Sequence, residues 1–173
     1  MRRGLTKFLL TLHVSTSVGL VGAIGVFLAL AIAGAFHRDS EIVRASYIAM
    51  NVGTTAVIVP LCVGALLTGV IQSLLTPWGL IRHYWVVVKL ALTMLAVAVL
   101  MLHTQPIAAM ADAVKVSALA PDQFYGQRIQ LIVASAGALV VGLSAVVLSI
   151  FKPAGLTPYG WRKVQAQRES FSA

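Results

Sequence analysis

The chain of 173 residues is 59% hydrophobic and only 10% charged, and its formal net charge is +8. A water-soluble domain is about half apolar and about a quarter charged, so this composition excludes an ordinary soluble fold and indicates a one-domain membrane protein. The basic residues lie at the ends of apolar runs, which excludes a nucleic-acid-binding patch. The single cysteine, Cys62, excludes an intramolecular disulfide and a cysteine-based metal site.

Two apolar runs occupy the first half of the chain. The first follows a basic start and predicts a membrane-spanning helix over about 8–36, because it is far longer than the roughly 7–15 residues of a signal-peptide core. A short polar loop over 37–44 separates it from a second predicted span at about 47–75. Pro60 removes one backbone hydrogen bond from the second span, so we expect a kink there.

Two further spans are predicted in the second half. The third covers about 85–104, and Pro106 is expected to end it. Apolar residues then recur at helical spacing, which predicts a short amphipathic surface helix over about 107–119. The fourth span covers about 129–151 and is followed by a basic tail at 152–173.

The distribution of Lys and Arg predicts the orientation of the chain. Positive charge gathers on the cytoplasmic side of membrane proteins. The residues on the side that carries both termini are Arg2, Arg3, Lys7, Arg82, Lys152, Arg162, Lys163 and Arg168, and those on the other side are Arg38, Arg44, Lys115 and Arg128. The predicted fold is therefore an all-α membrane protein, an antiparallel bundle of four transmembrane helices within the single domain 1–173, with both ends cytoplasmic.

A weak internal repeat links the two halves. Residues 76–79 (TPWG) recur as 157–160 (TPYG), 81 positions later, and 7–12 (KFLLTL) resemble 89–94 (KLALTM). A duplicated helical hairpin explains both matches, and a chance likeness between apolar segments is the alternative. Duplication would place Lys89 near the cytoplasmic surface, where its amine can reach the headgroups.

Two ionisable residues inside the spans are the candidates for function. Such groups are costly in a membrane, so they often mark a site. His13 either is a buried histidine bonded to nearby Ser or Thr residues, or it binds haem or handles protons. Lys89 either turns toward the headgroups or faces the interior of the bundle.

The other histidines do not complete a haem site with His13. If the repeat places Lys7 and Lys89 at one depth, the helical rise puts His13 and His103 about 12 Å apart in depth, too far for one iron. His103 and Met101 are the weak candidates for a copper ligand set, since copper sites use imidazole and thioether groups.

Small residues recur at every fourth position on two of the spans. They are Ser15, Gly19 and Ala23 in the first span and Ala134, Ala138 and Gly142 in the fourth. Such faces permit close helix packing. The packing can join helices of one chain or of several chains.

Residues 84–90 (YWVVVKL) and 12–14 (LHV) carry a resemblance that covers about residues 5–163. The chain resembles a bacterial family of four-span membrane proteins of unknown function, which is distantly similar to the CopD copper-resistance domain and to HemJ, a haem-linked protoporphyrinogen oxidase. His13 and Lys89 match the functional histidine and lysine of the HemJ-like pattern, so the resemblance implies a b-type haem held partly by His13. Val87 and Val88 stand where that pattern has a histidine, so the resemblance does not extend to the enzyme activity.

Three functions follow from these observations. The first is a multi-pass protein of the bacterial inner membrane without a catalytic site of its own, an accessory or self-associating subunit whose partners are the bilayer and other membrane subunits or itself. The second is a redox or haem-handling protein that binds haem b through His13, with Lys89. The third is a copper-handling protein or small transporter that uses His103 and Met101.

Overall fold

The computed structural model describes residues 2–76, 79–116 and 124–172, with side chains described over 4–76, 79–116 and 124–170. Within these ranges the chain is helical apart from short connections and one isolated β-bridge. Four described segments are long and apolar enough to cross a membrane: Gly4–Phe36, Ser40–Leu75, Tyr84–Val116 and Tyr125–Phe151. The sequence-based prediction of a helical chain with four segments long and apolar enough to cross a membrane is thereby confirmed.

Six α-helices and one π-helical turn make up the described chain. They are α1 (Arg2–Phe36), α2 (Ser40–Gly53), the π-helical turn (Thr54–Ile58), α3 (Val59–Leu75), α4 (Tyr84–Val116), α5 (Tyr125–Phe151) and α6 (Pro158–Ser172). The second candidate span consists of α2, the π-helical turn and α3 together. The predicted basic tail is therefore helical from Pro158 onward.

The turn between α1 and α2 is shorter than the loop predicted over 37–44. Asp39 ends it, because its Oδ1 accepts a hydrogen bond of 2.9 Å from the backbone N–H of Glu41 and thereby caps α2. The cap allows the helix to begin at Ser40, so the polar residues predicted to form the loop lie in the first turns of α2.

The irregularity expected at Pro60 takes the form of a π-helical turn. Proline has no backbone N–H and crowds the carbonyl of the preceding turn, so the regular ladder is broken there. The turn Thr54–Ile58 lies just before Pro60, and the N–H of Val59 bonds to the carbonyl of Thr54. The widened turn restores bonding over this stretch, as π-bulges commonly do.

The structure differs from the prediction at Pro106, which lies inside α4 instead of ending it. Residues 107–116 are the last turns of α4 rather than a separate surface helix, and 117–119 of that prediction lie outside the described residues. Ile107, Met110 and Val114 are buried in the hydrophobic core. Neighbouring helices can hold a membrane helix together across a proline, and the packing of these residues gives the reason here.

The hydrophobic core lies toward the end of the helices that carries the α1–α2 turn. Its members are Phe27, Ala31, Tyr47, Met50, Ile58, Ile107, Met110, Val114 and Leu131. α1 packs against α2, α3 and α5, while α4 packs against α2 and α5. The functional candidates His13 and Lys89 lie toward the opposite end of the same helices from this core.

At that opposite end the segments that flank α4 and α5 are joined. The hydroxyl of Thr157 donates to the carbonyl of Ile81 at 2.6 Å, and the N–H of Thr157 donates to the carbonyl of Arg82 at 3.0 Å. A β-carbon added to Gly160 would collide with the Arg82 carbonyl oxygen, so this approach requires glycine. Gly79 and Gly160, which close the two repeated segments, thus both lie in this joined region.

Candidate functional site

The structure brings His13 of α1 and Lys89 of α4 together. The amine Nζ of Lys89 lies 3.5 Å from Nε2 of His13, although 76 positions separate the two residues. Lys89 is half-buried, and its amine contacts side chains of α1 and α5. The two intramembrane residues therefore form one polar cluster, which we call the His13–Lys89 cluster.

Thr68 of α3 determines which nitrogen of His13 carries the proton. The hydroxyl of Thr68 donates to the carbonyl of Gly64 at 2.6 Å, so its oxygen is left to accept from His13 Nδ1 at 3.1 Å. A hydroxyl has one proton to donate, and neutral imidazole has one N–H and one lone pair. Nδ1 therefore carries the hydrogen, and the lone pair of Nε2 faces Lys89.

Ser149 of α5 positions the amine of Lys89 by the same logic. Its hydroxyl donates to the carbonyl of Ala145 at 2.7 Å, and its oxygen accepts from Lys89 Nζ at 2.8 Å. Both hydrogen-bond partners of Lys89 in the structure are neutral groups. The cluster thus joins α1, α3, α4 and α5 through polar side chains on otherwise apolar helices.

A close approach of α3 makes room for the imidazole ring. A β-carbon added to Gly69 would lie 2.9 Å from Cε1 of His13, which is closer than real contacts allow. Gly69 and the preceding Thr68 therefore act as a pair, one leaving space for the ring and the other binding it. The ring does not bond to Thr16, whose hydroxyl instead donates to the backbone carbonyls of Leu12 and His13.

The His13–Lys89 cluster borders a cleft of about 1000 Å³ between the helices. Ligand pockets for small molecules have volumes of about 300–1,000 Å³, so this cleft is large enough for a bulky ligand. Its walls are mainly aliphatic, with contributions from Val21, Ile24, Leu90, Val99 and Val141. A polar cluster at the edge of an apolar cleft is the arrangement of a site that orients an amphipathic ligand.

The weak copper candidates are not brought together in the same way. His103 lines the cleft, and its Nδ1 donates to the carbonyl of Val99 at 2.7 Å. Met101 is 43% exposed and lies two positions away, which turns it about 200° around the helix from His103. Among the described residues no group of three or more His, Cys, Asp or Glu side chains could hold a metal ion.

One glycine of each small-residue face, Gly19 in α1 and Gly142 in α5, lies near a neighbouring helix of the same chain. Added β-carbons would meet Leu61 at 3.5 Å from Gly19, Thr16 at 3.4 Å from Gly64, and Val21 at 3.0 Å from Gly142. Gly19 of α1 therefore lies against α3, and Gly142 of α5 lies against α1, while Ser15 is exposed. The sequence left open whether these faces serve one chain or several, and the observed contacts are within one chain.

Comparison with known proteins gives no relative. No protein-family model, curated protein or solved structure matches the chain. The cleft and the residues that line it are therefore the basis for assigning a function.

Proposed function

We propose that this protein is a multi-pass membrane protein that binds haem b in the cleft, with His13 as an iron ligand and Lys89 beside it. One observation carries the proposal, namely that Nε2 of His13 and Nζ of Lys89 lie 3.5 Å apart at the edge of an apolar cleft of about 1000 Å³. These are also the two residues on which the resemblance to the HemJ-like pattern rests, although they are far apart in the sequence.

The residues present fit such a group. Haem iron in proteins commonly takes an imidazole nitrogen as an axial ligand, and a ligating histidine usually donates its other N–H to a protein acceptor. His13 has this arrangement, because Nδ1–H is bound to Thr68, while Nε2, beside the amine of Lys89, belongs to a ring that lines the cleft. The mainly aliphatic walls suit a large apolar ring.

Bound haem would supply one-electron redox chemistry. The chain itself supplies orientation and environment for that chemistry. Thr68 fixes the tautomer and the direction of His13, Ser149 holds the amine of Lys89, and Gly69 leaves space for the imidazole. The neighbouring amine is a donor close to the ligating nitrogen, so it is placed to influence the electronic properties of the site.

Absorption spectra of the purified protein test the proposal. Protein produced with ample haem is expected to show a Soret band and reduced α and β bands, and His13→Ala is expected to remove them. His37→Ala is the matched control, because His37 lies in the turn between α1 and α2 and does not line the cleft. Wild-type protein without a Soret band would overturn the haem proposal.

The other two hypotheses have less support from the structure. An accessory or self-associating subunit was suggested by the small-residue faces, and Gly19 and Gly142 of these faces have neighbours within the chain. A copper-handling protein was suggested by His103 and Met101, which point to different sides of α4. We therefore rank haem binding first.

We further propose that the four spans form an antiparallel bundle in the bacterial inner membrane with both termini in the cytoplasm. The excess of Lys and Arg at the ends that carry α6 and the start of α1 supports this orientation. A green fluorescent protein fused to the C-terminus is expected to fluoresce, and an alkaline phosphatase fused there is expected to be inactive. The reverse pair of results would contradict the orientation.

A further inference from the structure

His103 of α4 has one ring nitrogen that no other group of the described chain binds. Nδ1 lies 2.7 Å from the carbonyl of Val99, and a carbonyl only accepts, so Nδ1 carries the hydrogen. Nε2 is buried and has no hydrogen-bond partner among the described residues. In the neutral ring Nε2 is therefore an acceptor shielded from water, and an acceptor left in this state costs free energy that a bound donor would recover.

The side chain of His103 lines the same cleft as the His13–Lys89 cluster, but at a different depth. It lies fourteen residues beyond Lys89 on α4, which corresponds to about 21 Å along the helix. Val99 and Ile107, one turn before and one turn after it on the same face, are apolar and also line the cleft. His103 is therefore a second polar point of the cleft, in an apolar stretch of α4.

Ser135 of α5 lies at about the depth of His103. The contact between Lys89 and Ser149 sets the register of α4 and α5, which run in opposite directions in the bundle that we propose. Fourteen residues from this contact α4 reaches His103 and α5 reaches Ser135, which also lines the cleft. The Ser135 hydroxyl donates to the Leu131 carbonyl at 2.7 Å, so its oxygen is left to accept a hydrogen bond.

Phe27 of α1 brings an aromatic ring to the same depth. It lies fourteen residues beyond His13, whose contact with Lys89 sets the register of α1 and α4, and these two helices run in the same direction in that bundle. Phe27 belongs to the hydrophobic core and lines the cleft. Aromatic rings pack well against one another, so an aromatic ring close to two acceptors favours a flat ring that carries a hydroxyl donor.

We propose that this end of the cleft binds an uncharged, lipophilic phenol or hydroquinone whose hydroxyl donates to Nε2 of His103. A phenol is an effective donor, and its ring matches the apolar walls that surround the acceptor. An anion is not expected here, because the positions one turn along α4 are apolar and offer no counter-charge. The inference does not depend on haem binding, since the His13–Lys89 cluster lies about 21 Å away along the helices.

Para-hexylphenol and para-hexylanisole provide the test, because the anisole is the methyl ether of the phenol and has no hydrogen to donate. Equilibrium dialysis of the full chain in detergent measures both affinities. The ratio of the two is compared between variants, so that unequal partitioning into the detergent cancels. The ratio in favour of the phenol is expected to be about fivefold larger in the wild-type protein than in His103→Leu, as one hydrogen bond implies.

His37→Leu is the matched control, since His37 lies in the turn between α1 and α2 and does not line the cleft. It should keep the wild-type ratio. A direct view of the acceptor comes from nitrogen NMR of protein made with isotope-labelled histidine, in which the His103 signals are identified by their absence from His103→Leu. The Nε2 signal is expected to shift when the phenol is added and to stay in place with the ether.

Three results would overturn the inference. They are a phenol that does not bind or leaves the Nε2 signal unmoved at saturation, equal ratios in the wild-type protein and His103→Leu, and a preference for the phenol that His13→Ala removes while His103→Leu keeps it. The last result would place the hydroxyl at the other end of the cleft. Failure of the haem proposal is distinguishable, because neither dialysis nor the Nε2 signal depends on iron.

Discussion

Nε2 of His13 lies 3.5 Å from Nζ of Lys89, and the two residues stand on helices α1 and α4. Each residue alone would be a costly polar group in an apolar helix. In the cluster, the hydroxyl oxygens of Thr68 and Ser149 accept hydrogen bonds from His13 and Lys89, which lowers this cost. The hydroxyl protons themselves are bound to backbone carbonyls. The contact between the His13 and Lys89 side chains therefore determines where the polar groups of the site lie among the helices.

Thr68→Val is expected to weaken haem binding by about 10–100-fold while leaving a Soret band. The substitution keeps the shape of the side chain and removes the acceptor that holds Nδ1–H of His13, and losing such an outer partner of a ligating histidine has effects of about this size. Haem titration followed at the Soret band measures the affinity. Thr11→Val is the control, because the Thr11 hydroxyl bonds only to a backbone carbonyl of its own helix, that of Lys7. Equal affinities of the two variants would contradict the assigned tautomer.

Gly69→Ala is expected to abolish or strongly reduce haem binding with little loss of stability. The added methyl group would lie 2.9 Å from Cε1 of His13, so the ring must turn away from its position beside Thr68. The ring is the end of a movable side chain, so the loss of stability should lie at the lower end of the roughly 1–3 kcal/mol that overpacking costs. Absorption spectra and thermal unfolding of the same preparations separate the two effects.

Gly22→Ala is the matched control for that prediction. A β-carbon at Gly22 would meet no atom within 4 Å, and the position lies on the same helix as His13. This variant should keep the wild-type spectrum. Wild-type haem affinity in Gly69→Ala would show that the position of the imidazole does not depend on the close approach of α3.

The spans could be predicted because apolar length alone decides them, but their ends could not. Pro106 predicts the end of a helix from its missing N–H, yet α4 continues to Val116 because Ile107 and Met110 are buried against neighbouring helices. The start of α2 depends on the Asp39 cap, a contact of one side chain that is too local for a hydropathy pattern to show. Tertiary packing and capping thus determine where the helices begin and end, which composition does not show.

The ionisable residues of the site could be predicted from the sequence, but their hydrogen-bond partners could not. His13 and Lys89 stood out because ionisable residues are rare in spans, but Thr68 and Ser149 did not, since Ser and Thr are common there. Which hydroxyl meets which ionisable group depends on how α1, α3, α4 and α5 are rotated against one another. Gly69 carried a faint signal as a glycine in an apolar helix, but the sequence could not say what approached it.

Met110→Ala is expected to destabilise the protein by about 2–5 kcal/mol, the usual cost of removing a large side chain from a core. Met110 is fully buried beside Tyr47 and Met50 in the hydrophobic core. Unfolding in detergent, followed by circular dichroism, measures the effect. Met101→Ala makes the same chemical change on the same helix at a residue that is 43% exposed, and it should cost less than about 1 kcal/mol. Equal losses would contradict the position of the core at the far end of α4.

Thr157→Val is expected to destabilise the joined ends of α4 and α5 by about 1–3 kcal/mol, because it leaves buried polar groups without partners. The Thr157 hydroxyl donates to the Ile81 carbonyl at 2.6 Å and accepts from the N–H of Gly160 at 3.1 Å, and valine can do neither. α4 begins at Tyr84, so loosening this end should also weaken ligand binding at Lys89. Thermal unfolding and porphyrin titration of one preparation measure both effects. Thr104→Val is the control, since the Thr104 hydroxyl bonds only within its own helix to the Met101 carbonyl. If both variants unfolded at the wild-type temperature, the joined segments would contribute nothing to holding the two helices together.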